Sequence, residues 1–431
     1  MAAITIHVQV PSRGWLHSVL AELAELAPPS NWSISRVPFT LRVVKPEAYT
    51  PQIISIGPLH HGEKNLQSME FHKLHYMFSL LRRNPNAFDT LDACGMAIER
   101  LDRQVRACYS ESIKFTTHEL ARILLVDGCF ILELFLRFSL KNLRLKDDPV
   151  FNTSWIISTL QRDLALLENQ IPFFVLQWLF DVAVMKTDIA QEVSNLPELA
   201  LAFFKSILYR NQESVQSISR SQFFHLLGLI HDSYLPPQPA HIQDRHAMST
   251  QPFVYSASSL REVGIHFKRD TTRSQFDLLF ERGVLKIPPL LIHESTDSIF
   301  RNLIAFEQIF HGSSQFVTSY FIFMAYLVST DSDTELLEHK GIIENHMGGW
   351  ENASFLFNDM SKQVVLGDFH LAQLCRELNQ YNRTAWDKYE TTLKRVYFRT
   401  PWTVIALIAS CALLLLVLVG AVVTVLSYYR P

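Results

Sequence analysis

Glycine is scarce, at 14 of 431 residues, about half the usual share of ~7%. Loops that cradle phosphate depend on it, and the chain has no P-loop, no GxGxxG after a strand-like run and no GxSxG elbow. A cationic excess is missing too: 39 Lys+Arg face 42 Asp+Glu, a net charge of −3. Binding a phosphate backbone needs clustered positive charge, so nucleic acid is excluded as a dedicated partner. The five cysteines, Cys94, Cys108, Cys129, Cys375 and Cys411, are odd in number and lack CxxC spacing. They read as reduced buried thiols and not as a zinc or redox site. Charged residues are 19% of the chain against 48% apolar, which excludes a mostly disordered protein and predicts a large core.

What stands out instead is one long apolar run. Residues 402–426 (WTVIALIASCALLLLVLVGAVVTVL) contain no charge, and a helix of that length spans about 37 Å against roughly 30 Å of hydrocarbon. A single transmembrane helix follows, with Trp402, Leu413, Leu414, Leu415, Leu416 and Leu426 as anchor residues and the lipid bilayer as partner. Aromatic rings at Tyr397, Phe398 and Trp402 before it and Tyr428 and Tyr429 after it suit headgroup depth. Lys388, Lys394, Arg395 and Arg399 precede the run and only Arg430 follows. By the positive-inside rule the main domain faces the cytosol, with the plasma membrane as the expected location. The first thirty residues lack a basic start followed by an apolar run, so no signal peptide is read there. The sequons at Asn31, Asn152, Asn352 and Asn382 speak for the opposite topology.

Along the chain, residues 1–35 read as a variable N-terminal segment and 36–210 as a helical lobe. In the lobe, Leu120, Ile123, Leu124, Ile131, Leu134 and Phe135 recur at three- and four-residue steps, and Leu160, Leu164, Leu167 and Ile171 repeat the pattern. Helices are therefore expected over 121–136 and 160–171. Residues 211–252, poorer in apolar side chains and holding Pro236, Pro237, Pro239 and Pro252, read as a surface loop. Residues 253–400 form a second lobe with a hairpin around Glu281-Arg282-Gly283 and a juxtamembrane helix over 368–398; residues 427–431 are a short tail. The run 316–328 is too short and too polar for a second span. The expected fold is thus mainly α (α+β): a helical globular domain in two lobes with a small antiparallel β hairpin, followed by one C-terminal transmembrane helix.

Asp127, Glu133, Glu168, Asn169 and Gln170 are polar groups inside these apolar runs. Unpaired in a core, each would cost about 1 to 3 kcal/mol, so they need partners. Two readings arise: a buried acidic pocket, or, favoured here, a structural polar network pinning 121–136 against 160–171. His60, His61, His72 and His75 with Glu70 are the richest set of potential metal ligands, but they lack the i, i+4 geometry of a zinc helix. Asp331-Ser332-Asp333 has the form of a transferase DxD pair, and equally that of a helix cap. Neither metal nor cofactor is expected.

Several segments also resemble a known family. Residues 49–61 (YTPQIISIGPLHH), 69–73 (MEFHK), 126–133 (VDGCFILE), 163–176 (DLALLENQIPFFVL), 256–268 (SASSLREVGIHFK), 283–289 (GVLKIPP), 302–308 (NLIAFEQ), 341–343 (GII) and 397–402 (YFRTPW) are similar, in order, to the signature blocks of the plant family of domain of unknown function 247. Departures are His75, where the family more often has Arg, and residues 87–102, which match no block. The resemblance implies a C-terminally anchored, single-span plant protein; some relatives are linked to grass self-incompatibility loci. It implies no catalytic activity. The expected function is therefore non-enzymatic recognition or signalling at a membrane, through a protein partner. Alternatives are a homo-oligomer assembled through Ala406, Ser410 and Gly420 of the span, or a membrane-tethered metal-dependent transferase using Asp331 and Asp333.

Overall fold

The computed structural model describes residues 32–207, 223–235, 255–310, 315–346, 350–367, 369–397 and 401–429. The chain divides into two units: residues 1–207, 219–233 and 301–313, and residues 208–218, 234–300 and 314–431. The sequence reading places 219–233 in a loop and 301–313 in the second lobe; both belong to the first unit.

In the first unit, α1 (Glu70–Leu81) and α2 (Ala87–Arg100) precede the central helix α3 (Thr117–Ser139). Thr116 accepts the Glu119 amide at 3.3 Å while Glu119 accepts the Thr116 amide at 2.8 Å, a reciprocal cap that starts α3. Its apolar residues point in every direction, with Leu120, Leu124, Cys129, Phe130, Ile131, Leu134 and Phe135 all buried. Such a helix has to be covered on all faces. After α4 (Ser154–Asp163) come α5 (Phe173–Ala183) and α6 (Leu196–Phe204), which pack on α3 together with α1 and α2. A methyl group at Gly128 would lie 2.4 Å from Leu179 Cδ1, so a side chain there would force the buried Leu179 of α5 to move.

Two sequence expectations fail in this unit. The apolar spacing predicts a helix through 160–171, yet α4 ends at Asp163, and residues 164–172 run irregularly while buried throughout. Spacing of 3.6 marks burial on one side only when the other side is polar; here the segment is buried from all sides. The stretch 211–252 contains α7 (Leu226–Tyr234), whose Leu226, Leu227, Leu229 and Ile230 are buried. Residues 211–222 and 236–252 of that stretch are outside the described residues.

In the second unit, α8 (Ala257–Glu262) precedes β1 (His266–Arg269), β2 (Leu279–Glu281), β3 (Val284–Ile287) and β4 (Leu290–Ile292). The expected hairpin is present: β2 and β3 pair antiparallel with Phe280 opposite Leu285. Arg282 and Gly283 both have positive φ, 50° and 77°, as a two-residue hairpin loop with the right twist requires. The sheet is mixed, because β1 adds to β3 in parallel with Phe267 opposite Leu285. Pro288 and Pro289 end β3, and β4 pairs in parallel with β5 (Ile343–Asn345). The helices are α9 (Glu294–Ile309, of which 301–309 belong to the first unit), α10 (Phe316–Leu327), α11 (Asp331–His339), α12 (Trp350–Met360), α13 (Ala372–Tyr397) and α14 (Pro401–Tyr429). Phe276, Phe300, Tyr320 and Phe321 build an aromatic core, with centroids of 4.7 Å for Phe276–Tyr320 and 4.8 Å for Phe300–Phe321. That burial makes α10 a core helix. The fold is mainly helical, with a small mixed sheet and one apolar C-terminal helix.

Candidate functional site

Two features stand apart from ordinary packing: the apolar helix α14 and a polar centre buried in the first unit. Among the described residues α14 is the one helix long and apolar enough to cross a membrane, and nothing of its window Ile408–Val425 is buried. Leu413, Leu414, Leu415 and Leu416 are all exposed. Side-chain placement of Trp402 and Leu426 lies outside the described residues.

The polar centre joins two irregular segments, residues 47–63 and the buried loop 164–172. Asp163, at the end of α4, accepts the amides of Gln52 (2.9 Å), Ile53 (2.9 Å) and Ile54 (3.2 Å) and is paired with Arg162. Asn169 accepts the Ile56 amide at 2.7 Å and donates to the carbonyls of Ile54 and Asp163. Gln170 donates to Leu164 and Leu166 of its own loop and accepts the Leu227 amide of α7 at 3.2 Å. Asn302 accepts the Leu167 amide and donates to the Ala48 carbonyl, both at 2.9 Å. A buried loop needs a partner for each of its backbone groups, and side-chain amides and carboxylates supply them here.

Gly57 sits where the segments touch. Its φ is 73°, its amide donates to Asp127 at 2.8 Å, and an added Cβ would lie 2.5 Å from the Gln170 carbonyl oxygen. Asp127 also binds the buried Lys73 at 2.7 Å, while Lys73 bonds the Ser55 carbonyl and Glu70. Burial opposes the Lys73 charge, but Asp127 and Glu70 outweigh it and push the amine above its ordinary value. Glu168 accepts the Val37 amide at 2.6 Å and is paired with Arg36 and Arg42, with His60 Nε2 at 3.4 Å. Burial opposes this carboxylate, yet His60, the Val37 amide and Arg42 hold it down at about 2.

Glu133 lies in a separate cluster. It binds Arg83 and Arg137, and Arg137 reaches Asp148 at 2.6 Å, which accepts the Tyr76 hydroxyl at 2.9 Å. The five polar residues singled out in the sequence therefore do not clamp 121–136 onto 160–171 directly. Asp127, Glu168, Asn169 and Gln170 fasten the irregular segments, whereas Glu133 ties Arg83, just past α1, to α3 and holds Arg137, which in turn reaches Asp148. Buried carboxylates already engaged by fixed amides and cations present no free acid or base. Burial also pushes the Cys129 thiol well above its ordinary value, away from nucleophilic chemistry.

The remaining candidates disperse. His60 bonds Glu63 at 2.7 Å, His61 meets the Phe115 ring edge-on, and His75 is exposed on α1. Among the described residues no group of three or more His, Cys, Asp or Glu is placed to hold a metal ion. Asp333 closes a capping box with Thr330 at the start of α11 and accepts the Ser258 amide at 2.8 Å; Asp331 accepts the Ser354 hydroxyl at 2.9 Å. Burial opposes the Asp333 charge, but Ser258 and Thr330 win and hold it below its ordinary value. Of the sequons, Asn152 is exposed and Asn382 is buried, while Asn31 and the Asn352 side chain lie outside the described residues.

Sequence reasoning passed over Lys73, Asp163, Asn302 and the His231–Glu307 pair, which is 2.8 Å long and buried. A signal existed for the first three, since each closes or opens one of the family-like blocks. The chain as a whole is similar to known proteins. A UPF0481 protein of Arabidopsis thaliana is 32% identical over 432 residues, covering 94% of this chain and 89% of the relative. A putative UPF0481 protein of the same plant is 22% identical over 475 residues, covering 89% and 88%. No solved structure matches. The DUF247 family model, described as plant protein of unknown function, matches residues 34–416, so the chain belongs to that family.

Proposed function

We propose that this protein is a non-enzymatic recognition or signalling component held at a membrane by α14, its helical domain on the cytosolic side of the plasma membrane and engaged with a protein partner. The observation that carries the reading is α14 itself. Its 29 residues exceed the hydrocarbon thickness at about 1.5 Å each, and none of its window Ile408–Val425 is buried. In water each exposed Å² of that surface is unfavourable by about 25 cal/mol, and a bilayer removes the cost. The acids of the domain support a binding role over a chemical one, because they are spent on backbone amides, caps and buried cations. The cations at Lys388, Lys394, Arg395 and Arg399 support the cytosolic orientation.

The experiment is extraction and protease digestion of sealed plant microsomes, followed by partner capture through crosslinking. The chain should resist alkaline carbonate, its domain should be digested from the cytosolic face, and replacement of α14 by an unrelated apolar helix should preserve the captured partner. Release by carbonate refutes the anchor. Glycans on Asn152 reverse the topology. Loss of the partner on swapping α14 alone transfers the function to association between spans.

A further inference from the structure

We propose that the outward face of α1 is a docking surface for an anionic lipid bilayer, a second membrane contact beside the span. The inference rests on the membrane reading above and adds the site and the lipid chemistry. On the inward side of α1, Lys73, Tyr76, Leu80 and Leu81 are buried. On the outward side, Phe71 is 73% exposed, Leu74 42% and Phe78 60%. These positions are i, i+3 and i+7, so they form one stripe along the helix, with His75 and Arg82 on the same side. A soluble surface has no use for two phenylalanines and a leucine in a row over two turns, and such stripes mark interaction sites.

The charges decide what covers it. Lys64 lies before the stripe and Arg82 at its end; both are exposed, and among the described residues neither pairs with a carboxylate. The acids on either side of Lys64 in the sequence are already engaged, Glu63 with His60 and Glu70 with Lys73, each at 2.7 Å. The face is thus aromatic and aliphatic along α1, with the Arg82 cation at its C-terminal end and Lys64 exposed in the short segment that leads into the helix. That pattern matches an interfacial helix, whose rings enter the headgroup boundary while its cations meet anionic lipid. A protein partner with an apolar groove would not need the free cations, and a second copy would bring like charges together. On the membrane reading above, α14 already brings the chain to a lipid surface.

The test uses the full chain in nanodiscs of phosphatidylcholine alone, or with a third of the lipid replaced by phosphatidylserine. Leu74→benzoylphenylalanine places a photocrosslinker in the stripe, and Gln191→benzoylphenylalanine, at an exposed site in a different helix, reports background. Position 74 should crosslink to phospholipid far above background in the phosphatidylserine discs and weakly in the others. Removing both cations, with Lys64→Gln and Arg82→Gln, should weaken docking by up to about thirtyfold, the conversion of roughly 1 kcal/mol per cation at an anionic surface. Phe71→Ser with Phe78→Ser should abolish the lipid crosslink while the chain stays in the discs. Crosslinks from position 74 to a second copy or to residues 1–31 of the chain, or lipid crosslinks indifferent to phosphatidylserine, overturn the proposal. A chain that does not co-purify with discs refutes the span; one that co-purifies without lipid crosslinks at position 74 refutes the docking face alone.

Discussion

Loop 164–172 and helix α14 are opposites. The loop has no regular hydrogen bonding and is buried throughout; the helix is regular, and its window 408–425 is unburied throughout. Irregular backbone can enter a protein core when side chains take over the role of a ladder, as Asp163, Asn169, Gln170 and Asn302 do around the loop. Apolar side chains can remain outside a core when the backbone satisfies itself and the surrounding solvent is lipid. Polar residues thus mark the inside of one region, and apolar residues mark the outside of the other.

The largest effect should come from making α14 unfit for lipid. Leu414→Arg with Leu416→Arg places two cations near the middle of the helix, at about 2.5–3.5 kcal/mol each for insertion. The chain should move from the carbonate-resistant fraction to the soluble one. The urea midpoint of the helical domain should not change, because these side chains pack against nothing in it.

Next is the polar centre. Asp127→Ala leaves the buried Gly57 amide unpaired and Lys73 with Glu70 as its remaining counter-charge, and should lower stability by about 3 kcal/mol, read from the urea midpoint. Asp127→Leu combined with Lys73→Met removes both charges and should recover part of that loss. Full stability of Asp127→Ala would mean that water reaches Lys73 and Gly57 and that the irregular segment 47–63 does not need this side-chain partner.

How far the sequence reveals these regions differs for the same reason. Helix α3 is readable from its 3.6 periodicity and from the Thr116/Glu119 box, and α14 from length and absence of charge, because both are local properties. Loop 164–172 imitates a helix in sequence: Leu160, Leu164, Leu167 and Ile171 are spaced as a stripe, although what they share is burial and not a face. Helix α7 is hidden for the opposite reason. His225 just before it and His231, Asp232 and Ser233 within it lower the apolar density of the stretch, but His225 bonds the Ser33 carbonyl at 3.0 Å and His231 bonds Glu307 at 2.8 Å, partners remote in sequence. The parallel pairing of β1 with β3 is non-local in the same way. Alternation of side chains foretells a strand and says nothing of its neighbour.

Those two histidines give the third prediction. Burial opposes the charge on His231, but Asp232 and Glu307 raise it from 6.5 to about 9. Its folded form therefore holds the proton more tightly than the unfolded chain, so its stabilisation is complete below pH 6.5 and is lost as pH rises through 9. Burial lowers His225 from 6.5 to about 4, so the unfolded chain takes up the proton first, and stability falls as pH drops from 6.5 toward 4. The urea midpoint of the full chain should peak near pH 6.5, with each limb reaching about 3 kcal/mol at its end. His231→Gln should flatten the alkaline limb and leave the acid limb in place. A flat profile from pH 5 to 9 would show that water reaches α7, and the contrast between a dry polar interior and an apolar exterior would be lost.

The smallest effect separates a cap from a catalytic pair. Asp333 accepts the Thr330 and Ser258 amides at 2.9 and 2.8 Å, and Asp331 accepts the Ser354 hydroxyl at 2.9 Å. Asp331→Asn with Asp333→Asn removes the negative charge beside the N-terminus of α11 and leaves one acceptor oxygen at each position; the two oxygens of Asp333 serve the Ser258 and Thr330 amides, so one of those amides then faces an NH2 group. That loss is worth about 1 to 2 kcal/mol, the scale of a weakened cap and its dipole contact. The urea midpoint should fall by that much, while carbonate resistance and partner capture stay as in the parent chain. A metal-dependent transferase needs both charges to hold its ion, so the same double substitution would abolish its activity outright. Cellular function lost at unchanged expression, folding and location would therefore overturn the recognition reading, whereas a mild, purely thermodynamic loss assigns the pair to the start of α11.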